Sequence, residues 1–201
     1  MSETHKKKIL GDIFSRQIDV RRYTPRLIII EGCDKTGKTT LAKTLQSVYG
    51  ATYLHLGKPS PTEALDPLAW HMAHLNSVEK PQKTSPIVIM DRFHLSNLVY
   101  GKVANHKHLT REEFFQLETT LLSWYPVIIY CWREADKLLD VWHEEDKYTF
   151  SVGQKVVNLY ELAIRETRLP VMRFNVDQEE FSINKLGELC TLGLTTQQVE
   201  E

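Results

Sequence analysis

The sequence predicts a three-layer α/β domain in which a five-stranded parallel sheet is flanked by helices. Four short apolar runs, at 27–30, 87–90, 127–131 and 171–174, are continuous rather than alternating, the pattern of strands buried on both faces. A weaker fifth candidate lies at 51–54. Stretches with helical spacing fill the gaps between these runs, and such alternation calls for parallel strands joined by right-handed crossovers.

Taken in order, residues 1–25 read as an N-terminal extension. Ile9, Ile13 and Phe14 stand at helical spacing there, suiting either an appended helix or a leader. Behind the first run, Leu41, Leu45 and Val48 share one helical face. Pro86, Pro126 and Pro170 each precede an apolar run, where proline is compatible with a strand start. Thr110 and Glu113 have capping-box spacing ahead of Phe114, Leu117 and Leu121. Val156, Tyr160, Ala163 and Ile164 form another apolar stripe. The main domain is expected over 26–194, followed by a polar tail at 195–201.

Hydrophobic content of 42% and charged content of 25% are ordinary for a globular chain of 201 residues. A net charge of −1 gives no global pull toward nucleic acid or an anionic membrane, so a basic site has to be local. Cys33, Cys131 and Cys190 lack paired spacing and suit a reducing compartment better than a disulfide framework. No apolar stretch approaches the roughly 18–20 residues that span a bilayer, and the start, rich in lysine, runs into mixed polar sequence rather than a signal-peptide core. The expectation is a cytoplasmic protein without a membrane partner.

Directly after the first apolar run stand Glu31, Gly32, Cys33, Asp34, Lys35, Thr36, Gly37, Lys38, Thr39 and Thr40. The glycines and Lys38-Thr39 have the spacing of a phosphate-cradling loop. Backbone amides must point inward at phosphate oxygens, and a Cβ at the glycine positions would obstruct that approach. Lys38 suits the β- and γ-phosphates of ATP, Thr39 offers a hydroxyl to Mg²⁺, and the following helix adds its positive end. A GTP switch would carry a guanine-reading Asn-Lys-x-Asp, whereas the nearest string, at 184–187, ends in Gly187.

The run at 87–90 leads into Asp91-Arg92-Phe93. A carboxylate at the tip of a buried strand beside such a loop organises Mg²⁺. An adjacent arginine makes bidentate contacts to a second phosphate. His106 and His108 resemble a metal-binding pair, but no nearby cysteine or carboxylate completes a zinc set, and a solvated loop is expected there.

On these residues the chain resembles the thymidylate kinase family, within the wider nucleoside monophosphate kinase group. The stretch 31–40 matches the family's opening motif, Asp91-Arg92-Phe93 resembles its Asp-Arg-Tyr/His, and Ser96 falls in register. The resemblance spans roughly 26–190 and implies a P-loop kinase fold with a short lid at about 143–153, in which Tyr148 and Gln154 look like the family's lid tyrosine and glutamine. Some members place a basic residue inside the phosphate loop, where Lys35 sits here. The resemblance therefore implies that Lys35 stabilises the transferring group, and that Asp34 contacts a deoxyribose 3′-hydroxyl. Family members are often dimers through helices beside the acceptor site; Phe114, Phe115 and Trp124 offer such a surface, or else belong to the core.

One region departs from the family. The helical segment before the third strand carries Trp70, His71 and His74, and no arginine, where thymidylate kinases stack and grip thymine. Trp70 is a replacement stacking surface, and His71 or His74 a base-edge contact. The expected activity is Mg²⁺-dependent transfer of the ATP γ-phosphoryl group to a deoxynucleoside monophosphate, dTMP first. Lys35, Lys38, Asp91 and Arg92 are the expected catalytic residues. Residues 32–40 are expected to hold the donor phosphates. Asp34, Trp70, His71, Arg92, Phe93, Ser96, Tyr148 and Gln154 are expected to hold the acceptor. A kinase acting on a hydroxyl, of a nucleoside or of hydroxymethylated pyrimidine in DNA, is the alternative, and a non-catalytic nucleotide-binding module the second.

Overall fold

The computed structural model describes residues 25–78, 87–142 and 149–177. Residues 1–24 of the extension expected at 1–25, the C-terminal part from 178 onward and most of the expected lid, 143–148, lie outside them. Five strands form one parallel sheet: β1 (Leu27–Glu31), β2 (Thr52–His55), β3 (Val88–Asp91), β4 (Pro126–Trp132) and β5 (Val171–Asn175), in the order β2-β3-β1-β4-β5. Each expected run becomes a strand, including the weak run at 51–54, which is the edge strand β2. Six helices accompany them among the described residues: α1 (Lys38–Tyr49), α2 (Pro67–Asn76), α3 (His94–Ala104), α4 (Arg111–Leu122), α5 (Ala135–Asp140) and α6 (Phe150–Glu166).

The alternation of strand side chains divides the core into two layers. Ile28, Ile30, Ile89, Val127 and Ile129 pack with Leu41, Ala42 and Leu45 of α1 on one face. Leu27, Ile29, Met90, Ile128 and Tyr130 pack on the other face with residues of α2, α3, α4 and α6. Val48 departs from the expected buried stripe of α1. It is 48% exposed, because the buried face of this helix runs through Lys38, Leu41, Ala42 and Leu45.

The capping box forms as the spacing requires: Glu113 N–H donates to Thr110 Oγ1 at 3.2 Å, and Thr110 N–H to Glu113 Oε2 at 2.8 Å. Phe114 and Trp124 lie in the core, and Phe115 is half-buried beneath the Arg168 guanidinium, 3.8 Å from the ring centroid. Of the suggested dimer surface, then, two of three residues are inside the fold. No helix among the described residues is long and apolar enough to cross a membrane.

A candidate phosphate-transfer site at the carboxyl ends of the strands

The loop after β1 opens at the C-terminal edge of the sheet, where open α/β sheets hold their ligands. Gly32 has φ +142, and a Cβ there would stand 2.2 Å from the Cys131 carbonyl oxygen. Only glycine fits so close to the neighbouring strand. Gly37 enters α1 in the left-handed conformation with no side-chain cap, so the first amides of the helix face the loop. Lys35 is exposed on the outside of the turn, also with a positive φ of 67.

Lys38 is buried, and its ammonium lies inside the loop. It donates to the Cys33 carbonyl and approaches Thr36 Oγ1 at 3.4 Å. Burial lowers its pKa to about 8, with Arg92 adding to the effect and Asp34 opposing it. The Cys33 thiol points away and donates to the Gly153 carbonyl of α6 at 3.7 Å. Burial, then the Asp34 charge, pushes that thiol up to about 11, so it stays protonated.

Asp91 ends β3 beside β1, paired in register with Ile30. Its side chain is on the α1 face and wholly buried. Thr39 Oγ1 donates to Asp91 Oδ2 at 2.7 Å, so the two residues expected to share a metal are brought together across 52 positions. Asp91 Oδ1 has no hydrogen-bond partner among the described residues. A hydroxyl and a carboxylate are hard oxygen donors of the kind Mg²⁺ takes, and Mg²⁺ uses one or two carboxylates with water and substrate phosphates completing its shell. The residues fit that ion. Among the described residues no cluster of three or more His, Cys, Asp or Glu side chains is suited to a metal. The His108 ring bonds back to the His106 carbonyl at 3.0 Å.

Arg92 adopts φ 70, in the left-handed region. One guanidinium nitrogen donates to Gly32 O at 3.3 Å, Ser96 Oγ at 3.4 Å and Tyr160 Oη at 3.3 Å. The other is ion-paired with Asp34, and the group lies over the Tyr100 ring, 5.0 Å from its centroid. Burial works to lower the Arg92 pKa, but Tyr160, Tyr100, Asp34 and Glu31 outweigh it and raise it. Asp34 was expected to face a sugar hydroxyl; here its carboxylate is turned onto the nearest cation.

The expected acceptor residues do not all reach the crevice. His71 is fully buried, its Nδ1 bonded to the Pro67 carbonyl at 2.6 Å and its ring edge-on to Phe93 at 4.9 Å. Burial lowers its pKa to about 4, so it is a neutral core histidine rather than a base-edge contact. Phe93 is 2% exposed and packs beneath the site. Trp70 is half-buried and lies against both histidines of its helix, 4.8 Å from His71 and 4.4 Å from His74. Ser96 is buried against Glu31, Gln154 is exposed at the start of the second turn of α6, and Tyr148 lies outside the described residues.

Sequence reasoning gave no role to Glu31, Tyr160, Tyr53 or His55. Glu31 is completely buried and accepts from Phe93 N, Ser96 N, Ser96 Oγ and Tyr160 Oη. Tyr53 Oη and His55 Nδ1 both meet Asp91 Oδ2, at 3.1 and 3.3 Å. A buried acid inside a glycine-rich motif was the available signal for Glu31.

No protein-family model matches the chain, and no curated protein does. Solved structures do. The YorR protein of Bacillus subtilis, in complex with phosphorylated GDP, is 20% identical with a TM-score of 0.63, covering 87% of this chain and 99% of that one. Thymidylate kinase from Ehrlichia chaffeensis is 19% identical with a TM-score of 0.51, covering 87% and 98%. Deoxyadenosine kinase from M. mycoides with bound dATP is 14% identical with a TM-score of 0.50, covering 84% and 98%. At such identities the likeness is one of architecture: the chain has the fold of the thymidylate kinase-like P-loop kinases.

Proposed function

We propose that the protein is a Mg²⁺-dependent kinase that moves the γ-phosphoryl group of ATP onto the phosphate of a deoxynucleoside monophosphate, dTMP first. The observation that carries this reading is the Thr39–Asp91 contact at 2.7 Å, with Asp91 Oδ1 unpartnered among the described residues, at the mouth of a glycine loop that encloses Lys38. Thr39 and Asp91 hold the metal, which supplies positive charge against the donor phosphate oxygens. The amides of 32–40 and Lys38 bind the β- and γ-phosphates. Lys35, on the outer turn, places a cation against the equatorial oxygens of the transferring group, where charge stabilisation matters more than covalent help. Arg92 orients the acceptor phosphate, whose oxygen is already ionised near neutral pH and needs no base. On binding, that phosphate displaces Asp34 from Arg92 and frees the Asp34 carboxylate for the sugar.

One observation favours a second reading. The Asp34–Arg92 pair is charge-balanced, and a balanced pair suits a neutral hydroxyl acceptor better than a dianion. Asp34 is then a base toward a hydroxyl of a nucleoside or of hydroxymethylated pyrimidine in DNA. An acceptor panel with ATP separates the cases. ADP formation that depends on a deoxynucleoside monophosphate supports the first reading, and dependence on thymidine or modified DNA supports the second. ATP binding without dependence on any acceptor leaves a nucleotide-binding module.

A further inference from the structure

Asp91 receives three donors from two separate elements, one from α1 and two from β2, and all three converge on one oxygen. Thr39 Oγ1 of α1 lies 2.7 Å from Oδ2, Tyr53 Oη 3.1 Å and His55 Nδ1 3.3 Å, while Oδ1 is wholly buried without a partner among the described residues. The arrangement follows from the sheet. β2 pairs with β3 in parallel register, His55 opposite Asp91 and Tyr53 opposite Ile89. Residues two apart on a strand share a face, so Tyr53 and His55 lie on the α1 side with Asp91, and Leu54 packs on the opposite side. A carboxylate only accepts, so the tyrosine hydroxyl and the His55 Nδ1–H must donate. Three donors saturate one oxygen and fix the rotation of the carboxylate.

We propose that Tyr53 and His55 are positioning residues for the metal: by holding Oδ2 of Asp91 they present Oδ1 as the oxygen that faces Mg²⁺. The inference rests on the metal-binding role assigned to Asp91 and goes beyond it, because neither β2 residue belongs to the loop or to the Asp-Arg motif. Partners behind a metal ligand commonly change metal affinity by about 10–100-fold when removed. The His55 side chain is 52% exposed, so replacing it leaves no cavity in the core.

The test measures metal affinity without turnover. Mg²⁺ is titrated calorimetrically into each protein bound to the imido-bridged analogue of ATP, and analogue affinity is measured separately in EDTA. Tyr53→Phe with His55→Leu should weaken Mg²⁺ binding by at least about tenfold. Analogue affinity in EDTA and the unfolding midpoint should stay near those of the wild type. His55→Asn, whose amide nitrogen reproduces the Nδ1 donor, should recover most of the loss contributed by His55. Unchanged Mg²⁺ affinity in the double variant would overturn the inference while leaving Asp91 as a metal residue. An equal loss in EDTA would overturn it too, by showing a nucleotide or folding effect. Absence of Mg²⁺ binding in the wild-type complex would overturn the reading of Asp91 and this inference together.

Discussion

Glu31 Oε1 accepts the backbone N–H of Phe93 at 2.9 Å, joining the end of β1 to a turn 62 residues further along the chain. The same oxygen accepts Ser96 N–H at 3.2 Å, and Oε2 accepts the Ser96 hydroxyl at 2.5 Å and the Tyr160 hydroxyl at 3.3 Å. Arg92 N–H donates to Ile30 O at 2.9 Å, so the amides on either side of the Arg92 Cα, those of Arg92 and Phe93, are both tied to β1. That double anchorage holds Arg92 in its left-handed conformation and aims its guanidinium into the crevice. A non-glycine residue in that region costs about 1–3 kcal/mol, which the surrounding contacts must offset.

Glu31→Ala leaves two amides and two hydroxyls without their buried acceptor. With each buried unsatisfied group costing about 1–3 kcal/mol, the variant should lose about 3 kcal/mol or more in urea unfolding. A loss below about 1 kcal/mol would mean that solvent reaches these groups and that Glu31 does not set the turn.

Gly32→Ala places a methyl group 2.2 Å from the Cys131 carbonyl in a backbone region disfavoured for alanine. The loop must move away from β4. Phosphoryl transfer should fall by about a hundredfold or more as the amides lose their aim, while far-ultraviolet circular dichroism still reports a folded chain. Turnover near that of the wild type would show that the loop is not the donor site.

Lys38 gives a pH dependence with a definite sign. Its pKa is lowered to about 8 by burial, and the donor phosphates bind its protonated form. Affinity for ATP should therefore be flat below about pH 8 and then fall by about tenfold per pH unit above it, as binding requires proton uptake. Lys38→Ala should bind more weakly and lose the slope. Fluorescence titration of an ATP analogue between pH 6.5 and 9.5 reads both; a slope that survives in Lys38→Ala assigns the proton elsewhere.

Lys35 sits at φ 67, so Lys35→Gly relieves backbone strain while it removes the charge. Stability should hold or rise slightly. The turnover number should fall by about a hundredfold with little change in KM for ATP, since a charge acting on the transition state affects the two unequally. A rise in KM alone would make Lys35 a ground-state binding residue.

Local signals in the sequence carried most of the fold. Buried strands announce themselves as continuous apolar runs, and the Thr110–Glu113 cap is a four-residue pattern. The loop was legible because its glycines, Lys38 and Thr39 stand at a fixed spacing within ten consecutive residues. Glu31 and Tyr160 were not, since their hydrogen bond spans 129 positions and requires the packing of α6 on β1. Tyr53 and His55 likewise became visible only once β2 was placed beside β3. Val48 and His71 fail in the opposite sense: periodicity shows which residues share a helical face, but the neighbours decide which part of that face is covered.

In the proposed reaction the γ-phosphoryl group leaves ATP for a nucleotide phosphate. Phosphorus-31 NMR of the protein with MgATP and each acceptor in turn observes the new bond directly. Coupled α- and β-phosphorus resonances of a deoxynucleoside diphosphate should appear together with ADP and be absent with Lys38→Ala. A new uncoupled monoester resonance, on a nucleoside or on hydroxymethylated DNA, or inorganic phosphate alone, would contradict the proposed reaction.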